Sequence, residues 1–105
     1  MNDRLTELQQ FFGAYFNQDW TEEHSTADEV IGAFLLDSPI DIVTTVKEEL
    51  LKLTSAYTDE QELRKNLLQE QYCYYHYLHE WTSGKLWLEH VTKKLDEHLL
   101  QAKHQ

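Results

Sequence analysis

Cys73, His76 and His79 form the pattern C-x-x-H-x-x-H, and Glu80 follows at once. Thiolate and imidazole are good zinc ligands, and on a helix this spacing brings all three to one side. Structural zinc sites, however, usually pair two short-spaced ligand couples across a longer loop. A catalytic zinc needs three ligands, an open position and a base. The other reading is a small buried thiol beside histidines in an aromatic patch, and the residue pattern favours it, with no metal or other cofactor expected.

A second group, Glu22, Glu23 and His24, contains the residue types of acid–base chemistry. Neighbours on a short loop do not converge on one substrate atom, and no nucleophile or glycine-rich phosphate cradle lies beside them. G-x-S-x-G, the P-loop, H-E-x-x-H and the dinucleotide fingerprint do not occur. The expectation is therefore a protein that binds rather than catalyses. Tyr72, Tyr74, Tyr75 and Tyr77, with His76 and Trp81, fit that expectation, because Tyr and Trp combine apolar area with a polar handle and few rotatable bonds. Helical or alternating spacing would send about half of such a run into a core.

These residues need elements to hold them. Three glycines and one proline among 105 residues leave few turn formers, which favours long helices over a many-stranded sheet. Apolar spacing predicts five helices. The first spans Asp3 to Phe16 and the second spans Thr26 to Leu36, with Thr26 and Glu29 as a capping box. The third starts at Ser38-Pro39, read as an N-cap and a first-turn proline, and carries Ile42 to Leu53. The fourth opens at Thr58-Asp59, with Gln61 and Glu62 placed to close a capping box, and the fifth opens near Ser83-Gly84. The stretch QYCYYHYLHEWTSGK fits either a short sixth helix or irregular packing. The expected fold class is all-α: one domain, a compact bundle of five to six helices.

Within this frame the hexapeptide YFNQDW, residues 15–20, reads as a structural turn. Tyr15 and Phe16 continue the apolar face of the first helix, and Trp20 is expected to be buried where the second helix turns back. Asn17, Gln18 and Asp19 sit where helical carbonyls lose their partners, and Asn and Asp side chains suit such a turn.

The net charge is −10. Phosphate binding needs clustered Lys and Arg, so neither a nucleic acid ligand nor an anionic membrane surface is expected. No apolar run approaches the ~18 residues of a membrane span. MNDRLTEL lacks the basic and apolar regions of a signal peptide, and Cys73 is the single cysteine, so a cytoplasmic location is expected. The charge is lopsided: residues 1–42 hold nine acids against Arg4, or −8 of the total −10. Solubility does not require that concentration, and grouped like charges repel, so a cationic partner is expected. The surface assigned to it comprises Asp19, Glu22, Glu23, Asp28 and Glu29, helped by Tyr72, Tyr74 and Tyr75. Self-association is left open.

Residues 11–36, FFGAYFNQDWTEEHSTADEVIGAFLL, resemble the contact-dependent growth inhibition immunity proteins (CdiI type). The shared features are a helix ending in Tyr-Phe-x-Gln-Asp-Trp, a short acidic loop, and a Thr-x-x-Glu start to a helix ending in Phe-Leu. The likeness continues more weakly through the third and fourth helices, and Trp87-Leu88 also fits. Asn17 stands where such proteins often have His, and Thr21 where they have an acid. The resemblance implies a cytoplasmic, all-helical protein that neutralises the C-terminal toxin domain of a large secreted effector, commonly a nuclease. A helical adaptor with a partner other than a toxin is the competing reading.

Overall fold

The computed structural model describes residues 6–17, 20–23, 25–71, 73, 75 and 81–103. Six helices appear in it: α1 (Glu7–Tyr15), α2 (Trp20–Glu23), α3 (Ala27–Asp37), α4 (Ile40–Ala56), α5 (Glu60–Gln69) and α6 (Gly84–Lys103). Among the described residues there is no strand, and the all-α expectation holds.

The helix ends follow from local side-chain chemistry. Thr6 caps α1: its hydroxyl accepts from Gln9 N (3.0 Å), and Gln9 Oε1 accepts from Thr6 N (2.9 Å). This capping box sets the described start of α1 at Glu7, later than the expected Asp3. Thr26 and Glu29 form the expected box at α3. The α3–α4 junction lies one residue away from its expected place. Pro39 is the N-cap rather than the first helical residue, and Ile42 N and Val43 N donate to its carbonyl (3.1 Å each). The residue before a proline is driven to extended backbone, so Ser38 (φ −111°, ψ 138°) closes α3 instead of opening α4.

At α5, Asp59 accepts from Gln61 N (3.0 Å), one position short of the amide that a capping box uses. Glu60 reaches across to α6, and its Oε1 accepts from Gly84 N (2.9 Å), which ties the starts of α5 and α6 together. On α4, the hydroxyls of Thr44 and Thr45 donate back to Ile40 O (2.9 Å) and Asp41 O (3.0 Å).

The two longest helices, α4 and α6, make the principal pairing. α1 packs on α4, α5 on α6, and α3 touches both α1 and α6. Val43, Val46 and Leu50 of α4 and Leu88, Val91 and Leu95 of α6 are fully buried members of one core. The radius of gyration, 13.4 Å, is that of one compact body of this length (about 13 Å). No described helix is long and apolar enough to cross a membrane.

Candidate functional site

The hexapeptide turn sits against an aromatic cluster. Phe16 and Trp87 are fully buried and meet edge to face, with centroids 5.5 Å apart at 90°. Tyr75 packs on Trp87 at 4.8 Å and on Phe16 at 5.7 Å. Trp20, at the start of α2, is only half-buried and covers the cluster from outside, 6.0 Å from Phe16 and 5.5 Å from Tyr75. Asn17 Nδ2 donates to Ala14 O (3.1 Å), the turn bond its residue type implies. Tyr15 leans the other way, onto Phe34, and its hydroxyl donates to Asp37 Oδ2 (3.2 Å). Burial, and then the Asp37 carboxylate, raise the Tyr15 pKa above its ordinary value. Asp19 lies outside the described residues.

The acidic residues fall into different roles. The expected loop at Glu22 and Glu23 is a single helical turn, α2, with Glu22 exposed. Four residues are too few to show helical periodicity, which is why the sequence pattern missed it. Asp28 Oδ1 lies 2.8 Å from His90 Nε2 and bridges α3 to α6. Glu29 Oε1 accepts from Ser25 N (2.8 Å) and Thr26 N (3.1 Å). Both carboxylates also sit in the first turn of α3, where the helix dipole favours negative charge. Asp28 and Glu29 therefore support the fold while remaining exposed.

In the tyrosine-rich stretch the structure describes Cys73, Tyr75 and Trp81, all outside regular helix; Tyr72, Tyr74, Tyr77, His76, His79 and Glu80 lie outside the described residues. Tyr75, placed in the partner surface from sequence, has a ring only 6% exposed, buried among Phe16, Trp20 and Trp87. Cys73 N donates to Leu67 O (2.9 Å), which folds this stretch back onto the end of α5. Burial pushes the Cys73 thiol up to about 12, against a smaller downward pull from its backbone hydrogen bond with Tyr75. Among the described residues no three His, Cys, Asp or Glu side chains gather to hold a metal.

An open groove of about 400 Å³ runs between the start of α1 and the end of α5. Three of its amides donate bonds that hold the chain. Gln9 Nε2 donates to Glu70 O (2.9 Å), Asn66 Nδ2 to Tyr57 Oη (3.0 Å), and Gln71 Nε2 to Asn66 Oδ1 (3.1 Å).

Two surface features went unread in the sequence. Leu36 is 87% exposed although it extends an apolar run. A helical projection of α3 places it opposite Val30, Ile31 and Phe34, so the signal was present in the periodicity. The pairing of Asp28 with His90, 62 residues apart, left no local signal.

The described residues form a compact all-helical body in which several polar side chains cap or join helices. Residues 4–95 match the CdiI immunity protein family, and the chain belongs to that family. It is similar to a chain of the crystal structure of a CdiA-CT/CdiI complex from Y. kristensenii 33638, with 30% identity and a TM-score of 0.80 over 85% of this chain and 95% of that one. A search of curated proteins gives no match.

Proposed function

We propose that this chain binds and neutralises the cognate C-terminal toxin domain of a contact-dependent growth inhibition effector, through its acidic surface. The observation that carries the proposal is membership of the immunity family, reinforced by likeness to a chain solved in a CdiA-CT/CdiI complex. The toxin is a nuclease in this reading. A nuclease must hold phosphates, so its cleft is basic, and an acidic inhibitor can fill or cover it. The concentration of −8 within residues 1–42 supports that complementarity. It also speeds encounter, which matters because inhibition must precede cutting. Such a protein works by occupancy and needs no cofactor.

The test combines the chain with the C-terminal domain of the effector encoded beside it. The two should co-purify, and nuclease activity should disappear at equimolar ratio. The double variant Glu22→Lys/Glu23→Lys should associate about tenfold more slowly at low salt and with a flatter salt dependence. An unchanged rate and salt slope would remove α2 from the steering surface.

A further inference from the structure

The outer face of α3 carries two residues that contacts within the described chain do not explain. Helical periodicity sets Glu29, Gly32 and Leu36 opposite the buried stripe of Ala27, Val30, Ile31 and Phe34. Leu36 is 87% exposed, and Ile40, 46% exposed, follows at the turn into α4. Gly32 stands mid-helix, where glycine weakens a helix relative to alanine. A methyl group added there would meet no atom within 4 Å. Among the described residues, neither internal packing nor backbone geometry calls for a glycine at this place.

We infer that this face, from Glu29 across Gly32 to Leu36 and Ile40, is the seat of the toxin domain. The inference rests on the toxin-binding reading and assigns it a location. The missing side chain at Gly32 lets the partner approach the helix backbone, and Leu36 projects as a knob into an apolar socket. The charge around the face sets the chemistry of the partner. Asp28 and Glu29 stand at one end and Asp37 and Asp41 at the other, and no Lys or Arg occurs between Arg4 and Lys47. The matching surface is therefore an apolar socket rimmed by Lys and Arg. A second copy of this chain is a poor occupant, because two-fold pairing of this face would oppose acids to acids.

The experiment is titration calorimetry of the chain against the C-terminal domain of the effector encoded beside it, with melting temperatures measured in parallel. Gly32→Gln should melt higher than the wild type and yet bind at least tenfold more weakly, a combination that a purely structural role does not produce. Leu36→Ala should also bind at least tenfold more weakly without melting lower. Leu68→Gln, altering a half-exposed leucine on α5, should bind as the wild type does. If Gly32→Gln and Leu36→Ala both bind within twofold of the wild type, this location is overturned and the toxin reading stands. If the wild type itself does not bind, both fall. A dimer of the free chain that Gly32→Gln dissociates would overturn the inference in favour of self-pairing.

Discussion

Truncating Trp87 and Trp20 separates the interior of the aromatic cluster from its cover. Trp87 is fully buried and touches Phe12, Phe16 and Tyr75. A buried tryptophan removes about 150–250 Å² from water, which at roughly 25 cal/mol per Å² amounts to about 4–6 kcal/mol. Compactness of the unfolded chain lowers that figure, and measured Trp→Ala losses of about 3–5 kcal/mol agree with it. Trp20 is half-buried, so about half the area term applies. Half of a loss of about 3–5 kcal/mol is about 2 kcal/mol, spread over its contacts with Phe16 and Tyr75. Urea unfolding followed by helical circular dichroism reads both. With a slope near 2 kcal/mol per M, Trp87→Ala should lower the midpoint by about 2 M and Trp20→Ala by about 1 M. For a domain whose total stability is of order 5–15 kcal/mol, the first variant approaches the limit of folding, and Trp87→Leu then gives a measurable intermediate. Equal shifts for the two alanine variants would refute the distinction between interior and cover. A shift under about 0.5 M for Trp87→Ala would refute the packing itself.

Two further outcomes follow from local chemistry. Thr26→Ala removes the hydroxyl that accepts from Glu29 N and should cost about 1 kcal/mol in the same urea experiment; no change would mean that Glu29 alone holds the start of α3. Cys73 and Tyr15 both bind their protons more tightly folded than unfolded, so their stabilisation is complete below the unfolded pKa values. It is lost as pH rises, for Cys73 between 9.0 and about 12. Melting temperature should therefore fall through that range, less steeply in Cys73→Ala, and a thiol-specific dye should label Cys73 only as the protein unfolds. Rapid labelling of the folded protein at neutral pH would contradict the buried thiol.

Local signals in the sequence were sufficient wherever the relevant physics is local. The Thr26–Glu29 box and the apolar periodicity of α3, α4 and α6 depend on residues within a few positions of one another, and they appear where expected. Thr6-x-x-Gln9 was an equally local signal and would have placed the described start of α1. The junction at Pro39 shifted because proline acts on the residue before it as well as on itself. The candidate surface was harder to read. Aromatic density in the tyrosine-rich stretch does not reveal which ring turns inward, and Tyr75 does so only because Phe16 and Trp87 arrive from distant parts of the chain. Asp28 and Glu29 looked like free charges, yet one bridges to α6 and the other caps its own helix. Both carboxylates remain exposed while they serve the fold.

The threonines at the start of α4 have a consequence for hydration. A hydroxyl on a protein surface ordinarily gives its proton to water, and covering it strands a donor unless the incoming molecule supplies an acceptor. Thr44 and Thr45 already give theirs to the carbonyls one turn back. A surface laid over this turn can displace its water while both donors stay paired. To an approaching molecule the beginning of α4 is drier than its residue types suggest.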